Sequence, residues 1–305
     1  MKHFLDVDQL SSSMVLELIE RALFFKLSSQ NQAPSYPTYP GVVLLQVFYE
    51  NSTRTQLSFD LAAKNLGLTV LSLDPKRSSE SKGEAMQDMC QTFAAMGVRL
   101  MVIRHPEDGA LQQLSRVIPE SLQLVNAGDG MHAHPTQAML DMMTIIEHKL
   151  KPQDIKIAVV GDIRHSRVAQ SLQCLCRVLQ VGELALIGPE AWLPKNIIYG
   201  EATSSLQKGL DQADVVMTLR VQHERFSDDE ACDLLAYREN YAITSSSLLY
   251  AKPGARVMHP GPINRGVEID SDVADGPQSC ILQQVQNGVF MRMAILEWLI
   301  RASFF

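Results

Sequence analysis

The chain lacks any apolar run long enough to cross a membrane, since stretches such as 42–45 and 100–103 fall far short of the roughly 18 residues that a spanning helix needs. The N-terminal segment carries two early acids and no apolar signal-peptide core, and we therefore expect a cytoplasmic protein. Cysteine is sparse, and five cysteines, an odd number in a long chain, favour free thiols. Cys174 and Cys176 lie in an apolar helical stretch, which indicates core packing.

Positive charge is also scarce, with 27 lysines and arginines against 34 aspartates and glutamates and a net charge of −7. This balance argues against a general affinity for nucleic acid or for an anionic membrane. An anionic ligand would need positive charge concentrated at one place against an acidic background. The chain has 305 residues, of which 46% are hydrophobic, and this length predicts two domains.

Apolar strands alternate with helical patterns along most of the chain. Strands are predicted at 42–49, 68–73, 99–104, 155–161, 183–187 and 214–219, and helices at 12–27, 54–66, 84–96, 168–179 and 283–300. Regular alternation of this kind is typical of parallel sheets covered by helices, here in two α/β domains. The polar segment 74–83 is predicted to be a mobile exposed loop.

Three of these helices have a predicted apolar face. The faces comprise Leu16, Ile19, Leu23 and Leu27 in the first helix, Leu57, Leu61, Ala62 and Leu66 in the second, and Val289, Met293, Leu296 and Leu299 in the last. The last helix is expected to be amphipathic, and the second to stop at Gly67.

The run Ser52-Thr53-Arg54-Thr55 stands where the first predicted strand gives way to a helix. Backbone N–H groups and the positive end of the helix dipole meet there, so the position suits a phosphate. Arg54 adds a fixed charge with a planar fork of donors. The alternative is an ordinary helix cap, in which Ser52 or Thr53 satisfies the first turn and Arg54 lies in solvent.

Polar or basic clusters follow several predicted strands, at the positions where ligands bind in open α/β sheets. These clusters are Ser52–Thr55, Arg104-His105-Pro106, Arg164 to Arg167, and Arg220-Val221-Gln222. Their shared placement favours the phosphate site over the cap.

Longer motifs around these clusters resemble one family. Phe48-Tyr49-Glu50-Asn51-Ser52-Thr53-Arg54-Thr55 resembles the carbamoyl-phosphate signature of the aspartate and ornithine carbamoyltransferases, and His134-Pro135-Thr136-Gln137 with Leu140-Asp141 is similar to their second signature. Arg220-Val221-Gln222, with Glu224-Arg225, resembles the aspartate-binding segment of the family. The run from His259 to Ile269 resembles its late loop.

The resemblance implies two doubly wound parallel-sheet domains joined by helices. A carbamoyl-phosphate domain would span 1–150 and an aspartate domain 151–283, with the C-terminal helix, 284–305, packing back on the first domain. It implies transfer of the carbamoyl group of carbamoyl phosphate to the amino group of L-aspartate, giving N-carbamoyl-L-aspartate and phosphate for pyrimidine biosynthesis.

The family's roles carry over residue by residue. By resemblance, the phosphate would be held by Ser52, Thr53, Arg54 and Thr55. Arg104 would bridge the phosphate and the carbonyl oxygen, and His134 would donate to that oxygen. Gln137 would bind the carbamoyl amide, and backbone carbonyls would come from Gly261 and Pro262. Arg167 and Arg220 would bind the two carboxylates of aspartate, with Gln222 near its amino group. Catalysis would rest on Arg54, Thr55, Lys82, Arg104 and His134, with no cofactor or metal.

The resemblance also implies a homotrimer with shared sites. Ser78 and Lys82, spaced as Ser-x-x-x-Lys, would enter the site of a neighbouring subunit and contact carbamoyl phosphate and aspartate respectively; Ser79 and Ser81 are alternatives for the serine. It leaves open whether trimers join regulatory or dihydroorotase-like chains. Two other hypotheses remain: an ornithine-specific member of the family, which the Arg220-Val221-Gln222 segment disfavours, and a non-catalytic scaffold with the same fold.

Overall fold

The computed structural model describes residues 2–30, 36–79, 83–221 and 234–304. The chain forms two compact units, of which the first comprises Met1–Met143 and Val285–Phe305 and the second Thr144–Gln284. Within the described residues, no helix combines the length and the apolar character that a bilayer-spanning segment requires.

The first unit is built on a parallel sheet with strand order β2-β1-β3-β4. Its elements are α1 (Ser12–Ser29), β1 (Val43–Phe48), α2 (Thr53–Asn65), β2 (Thr69–Leu73), α3 (Met86–Ala95), β3 (Val98–His105), α4 (Ala110–Leu114), β4 (Gln123–Asp129) and the start of α5 (Pro135–Glu147). The middle of β1 is buried on both faces, as expected for a strand covered by helices on both sides.

The second unit repeats this architecture around a parallel sheet with strand order β7-β6-β5-β8-β9. Its elements are β5 (Lys156–Val160), α6 (Arg167–Leu179), β6 (Glu183–Ile187), β7 (Glu201–Thr203), α7 (Leu206–Leu210), β8 (Val215–Thr218), α8 (Leu234–Tyr241), β9 (Arg256–Met258) and α9 (Ser271–Ala274), and α10 (Ile281–Phe304) leads back into the first unit. The prediction of two parallel-sheet α/β domains is confirmed. Cys174 and Cys176 are buried in α6, as predicted.

The predicted apolar faces of α1 and α2 are only partly confirmed: Ile19, Ala62 and Leu66 are buried, but the other leucines of these faces are not. In α1, Leu16 and Leu27 are exposed, and the buried face consists of Val15, Leu18, Ile19, Ala22, Phe25 and Lys26. In α2, Leu57 and Leu61 are more than half exposed, and the buried face consists of Thr55, Ser58, Phe59, Ala62 and Ala63. Each helix carries two stripes with helical spacing, and in α2 the stripe of mostly small side chains packs inward, because small residues allow close approach to the sheet.

Helix α10 is not amphipathic, because nearly every side chain from 287 to 300 is buried. Polar contacts tie this helix to α1: Arg21 forms an ion pair with Glu297, and the Lys26 ammonium donates to the Asn287 side-chain oxygen at 2.8 Å. The C-terminal helix therefore packs back on the first unit, as expected.

Candidate active site

The carboxyl ends of β1, β3 and β4 meet at one edge of the first sheet. Phe48 at the end of β1 is the register partner of Arg104 in β3, and the Tyr49 N–H donates to the Arg104 carbonyl at 3.0 Å. Since the strands are parallel, the segments that follow them emerge on the same side. Ser52–Thr55 and Arg104 therefore lie at this edge, and His134 follows the end of β4.

Helix α2 begins without a side-chain cap. Ser52 occupies the N-cap position, but its hydroxyl makes no capping hydrogen bond, and it accepts instead from Nη1 of Arg104 at 3.4 Å. The first intrahelical bond runs from the Gln56 N–H to the Ser52 carbonyl at 3.0 Å, so the N–H groups of Thr53, Arg54 and Thr55 precede it. Thr53 and Arg54 are exposed and Thr55 is buried. The cap interpretation is wrong for the Ser52 side chain, and this helix start suits an anion.

Arg104 is held in place by three groups from different segments. Its Nε donates to Glu50 at 3.0 Å, and its Nη1 contacts Ser52 and the Ala127 carbonyl, the latter at 3.5 Å. The Arg104 side chain is 14% exposed, so a partly buried guanidinium lies beside the start of α2. Glu50 was not predicted as a site residue, although it lies within the carbamoyl-phosphate signature at 48–55. A carboxylate shortly before a predicted cationic site could have indicated a partner for an arginine.

His134 and Gln137 are fixed by the start of α5. The His134 carbonyl accepts from the N–H groups of Gln137 and Ala138 at 3.0 and 3.3 Å, and Pro135 opens the helix, a position at which proline is favoured. Both side chains are largely buried. Nε2 of Gln137 donates to Oδ1 of Asp141 one turn later, at 2.9 Å. The sequence motif was identified, but the helix that carries it was not.

Charged groups also surround the turn that precedes His134. Asp129 accepts from Nδ1 of His132 at 3.2 Å, and this hydrogen bond is the main cause that raises the pKa of His132 above its usual value, against the opposing effect of burial. Asp6 lies 3.7 Å from Nε2 of His132, and burial is the main cause that raises the pKa of Asp6 to about 6. The electrostatic environment beside the sheet edge therefore changes with pH near neutrality.

The second unit places its predicted residues after β5 and β8. Arg167 is buried in the first turn of α6, where the Ser166 hydroxyl caps the helix by accepting from the Ala169 N–H at 3.2 Å. Arg220 is half-buried and follows β8. Gln222, the third residue predicted for aspartate, lies outside the described residues, as do Glu224 and Arg225.

The late loop is organised by a buried His–Glu pair. Nδ1 of His259 accepts from the Gly261 N–H at 2.8 Å, so the ring proton sits on Nε2, which donates to Glu268 at 3.1 Å. The same Glu268 oxygen accepts from the Asn264 N–H, and the Asn264 side chain donates to the Val221 carbonyl at 3.2 Å. The half-buried Gly261 and the exposed Pro262, joined by a cis peptide bond, are thereby fixed beside the segment that follows Arg220.

Ser78 is buried, although most of the described residues around it in the segment 74–83 are exposed as predicted. Pro75 begins a 3-10 turn that ends at Arg77, and Ser78 is buried directly after it, with its hydroxyl donating to the Pro75 carbonyl at 2.7 Å. The turn forms because Asp74 caps it by accepting from the Lys76 N–H. Lys82 lies outside the described residues.

The chain has two parallel α/β units, and at one sheet edge an open helix start lies beside a partly buried arginine. These features are typical of the class of enzymes that act on an anionic substrate. Comparison with known families identifies the enzyme family. Residues 2–147 match the carbamoyl-P binding domain of aspartate/ornithine carbamoyltransferase, and residues 153–299 match its Asp/Orn binding domain. The chain belongs to the aspartate/ornithine carbamoyltransferase family.

Individual relatives cover almost the whole chain. An aspartate carbamoyltransferase catalytic subunit of Legionella pneumophila is 56% identical over 98% of this chain and 99% of its own. One from Coxiella burnetii is 42% identical over 99% and 97%. Among solved structures, an aspartate transcarbamoylase from Trypanosoma cruzi in complex with carbamoyl phosphate and aspartate matches with a TM-score of 0.86, 29% identity and coverage of 97% of this chain and 95% of its own.

Proposed function

We propose that this chain transfers the carbamoyl group of carbamoyl phosphate to the amino group of L-aspartate, giving N-carbamoyl-L-aspartate and phosphate in the synthesis of pyrimidines. The observation that carries the proposal is the uncapped start of α2, with the Ser52 hydroxyl turned to Arg104. The names of the relatives, aspartate carbamoyltransferase catalytic subunits, support the aspartate branch of the family.

Carbamoyl phosphate would bind to the domain expected at 1–150, completed by the returning segment 284–305. Ser52, Thr53, Arg54 and Thr55 would hold its phosphate through hydroxyls, backbone N–H groups and one guanidinium. Support comes from the orientation of α2, whose first-turn N–H groups lie next to the Arg104 side chain.

The reaction needs donors aimed at the carbonyl oxygen. The neutral amine of aspartate attacks the carbonyl carbon, a C–N bond forms, and the oxygen becomes an oxyanion in the tetrahedral intermediate. Thr55, Arg104 and His134 would donate to this oxygen and lower the barrier. The C–O bond to phosphate then breaks, and the departing phosphate takes the amine proton. Gln137 would bind the carbamoyl amide, and the Gly261 and Pro262 carbonyls would face the reacting centre.

Aspartate would bind to the domain expected at 151–283. Two substrates together bring about four negative charges, which arginines offset with bidentate geometry. Arg167 and Arg220 would hold the carboxylates, Gln222 would lie near the amine, and Lys82 would add a further positive charge.

We propose a homotrimer in which Ser78 and Lys82 enter the site of a neighbouring subunit. The naming of the relatives as catalytic subunits supports assembly with further chains, regulatory or dihydroorotase-like. We place the protein in the cytoplasm, because both substrates are water-soluble anions. Arg54→Ala and Lys82→Gln variants, each inactive alone, are expected to regain activity when mixed and allowed to exchange subunits. Well-folded mixed trimers without activity would contradict a shared site.

The test of the function is carbamoyl transfer measured with L-aspartate and, in parallel, with L-ornithine. Product formation with aspartate alone is the expected result. Transfer to ornithine would show that the roles of Arg167 and Arg220 are misassigned. Folded protein that transfers to neither amino acid, and that a bisubstrate analogue with phosphonate and dicarboxylate groups does not stabilise against heat, would favour the scaffold hypothesis.

A further inference from the structure

Helix α10 carries a buried arginine that the proposed reaction does not use. Arg292 is 3% exposed, its Nη1 donates to the Gly288 carbonyl at 3.2 Å, and its Nη2 donates to the Thr136 hydroxyl at 3.3 Å. Its guanidinium carbon lies 4.9 Å from the centre of the Phe59 ring. A buried cation is costly unless a negative charge lies near it, so this position requires a partner.

The negative charge that acts on the guanidinium is that of Asp141, one turn after Gln137 on α5. Burial lowers the pKa of Arg292 to about 9 and the negative charge of Asp141 opposes this shift, so the guanidinium stays protonated at neutral pH. Asp141 is itself fully buried. Facing a buried guanidinium favours the ionised form of a carboxylate.

The backbone of α10 leaves room for the arginine at a glycine. A Cβ atom on Gly288 would lie 2.6 Å from Nη1 of Arg292 and 3.3 Å from Cδ2 of Leu140. Any larger residue there would displace the guanidinium. The position of Arg292 between α5 and α10 thus depends on this glycine.

Asp141 in turn determines which way the Gln137 amide is oriented. An ionised carboxylate only accepts hydrogen bonds, so the group of Gln137 that contacts Oδ1 of Asp141 at 2.9 Å is the amide nitrogen. The oxygen Oε1, on the other branch of the amide, is then the atom that this side chain offers to a ligand. An amide oxygen accepts from an N–H group and offers nothing to a methyl group.

We propose that Asp141 is a positioning residue that orients the Gln137 amide, so that the site selects a carbamoyl group over an acetyl group on the phosphate. The inference rests on the proposed function, because it assumes that Gln137 faces the carbamoyl amide. The NH₂ of carbamoyl phosphate donates to Oε1, whereas the methyl of acetyl phosphate leaves that buried acceptor unpaired. Loss of one such bond reduces affinity by about 10- to 100-fold.

The experiment measures binding of carbamoyl phosphate, acetyl phosphate and inorganic phosphate by calorimetry, in the wild-type protein and in Asp141→Asn. The wild type is expected to prefer carbamoyl over acetyl phosphate by at least about tenfold. The amide introduced by the substitution donates as well as accepts, so the Gln137 amide turns freely. In the variant, the affinities for carbamoyl phosphate and acetyl phosphate should differ by no more than about threefold, because carbamoyl phosphate binds more weakly. The affinity for inorganic phosphate should be unchanged.

Two further variants make the result specific. Gly288→Ala, which displaces Arg292 without touching Gln137 or Asp141, should also reduce the preference. Glu147→Gln, the same chemical change at the far end of α5, should leave it intact. A wild type that binds both acyl phosphates equally, or an Asp141→Asn protein that keeps the full preference, overturns the inference. A wild type that binds neither acyl phosphate contradicts the proposed function itself.

Discussion

The ion pair between Arg21 of α1 and Glu297 of α10 gives a stability prediction that can be worked out in detail. Two hydrogen bonds, of 2.5 and 2.6 Å, join the guanidinium to the carboxylate, and the Tyr39 hydroxyl donates to the same carboxylate at 2.8 Å. The Glu297 side chain is only 2% exposed, and Arg301 lies 3.5 Å away. Arg21→Met keeps the apolar stem of the side chain and removes the charge.

Breaking a buried pair from one side costs about 3–5 kcal/mol, because the remaining charge is left uncompensated. Tyr39 and Arg301 still contact Glu297 in the variant, so we expect the low end, about 3 kcal/mol at pH 7. The Arg21 guanidinium also lies 4.7 and 4.6 Å from the centres of the Phe24 and Phe25 rings, and losing these contacts adds about 0.5–1 kcal/mol.

The loss should depend on pH. Burial by itself raises the pKa of Glu297, but the hydrogen bonds from Arg21 and Tyr39 and the nearby positive charges together hold it below its usual value. A carboxyl with a depressed pKa stabilises the native state above its unfolded pKa, and this contribution disappears as the pH falls through the folded pKa. The difference between wild type and Arg21→Met should therefore be largest at neutral pH and shrink below about pH 5.

The assay is urea unfolding at pH 7.5 and pH 4.5, at one chain concentration because assembly changes apparent stability. Arg301→Met is the control: its side chain is 60% exposed, so its loss should cost less than about 1 kcal/mol. Replacing Glu297 by Gln in the Arg21→Met background should recover part of the stability. A cost below about 1 kcal/mol for Arg21→Met at pH 7.5, or a cost that does not change with pH, would refute the reasoning.

Two further predictions concern the buried residues Asp6 and His259. Burial raises the pKa of Asp6 to about 6, so ionising this carboxyl destabilises the native state as the pH rises from about 4 to about 6. The free energy of unfolding of Asp6→Asn should therefore exceed that of the wild type by about 1–2 kcal/mol at pH 8, and the two should be equal at pH 4. A difference in urea unfolding that does not change with pH would contradict this prediction. His259→Ala should release the Gly261 loop, whose carbonyls are assigned to carbamoyl phosphate, and lower kcat/KM for carbamoyl phosphate by about tenfold, because the ring holds the Gly261 N–H and Glu268; an unchanged kcat/KM would argue against it.

Strands β1, β2, β3, β5, β6 and β8 were predicted from the sequence, because buried parallel strands are short apolar runs with sharp ends, whereas β4 was not among the predicted strands. The inward face of a helix could not be predicted. Leu57 and Leu61 form an apolar stripe as regular as the buried one, and only the tertiary contacts of α2 decide between them. Helix α5 was missed because its motif, starting at His134, was interpreted as chemistry alone. The strands β7 and β9 are three residues long, too short for a periodic signal.

The candidate site shows the same division between local and distant information. Ser52–Thr55 and Arg104 were predicted at one sheet edge because they stand at the carboxyl ends of predicted parallel strands, and the structure confirms that location. The partners of these residues do not follow from local sequence: Glu50 meets Arg104 across 54 positions, and Arg292 meets Thr136 across 156. Contacts between such distant positions leave no periodic signal in a single sequence. The burial of Ser78 escaped prediction because the surrounding segment is polar on average while one turn of it packs inward.

We expect the choice of amino acid substrate to be made in the second unit, because residues 153–299 match the Asp/Orn binding domain of the family. If Arg167 and Arg220 face that substrate, each meets a carboxylate of aspartate, whereas the side-chain ammonium of ornithine would meet a like charge. At about 4 Å and an effective dielectric constant near 20, such a repulsion amounts to about 4 kcal/mol before screening. That energy corresponds to several hundredfold or more in affinity, so charge alone is sufficient to exclude ornithine. Arg167 is buried, which limits screening by solvent and makes it the stronger determinant of the two.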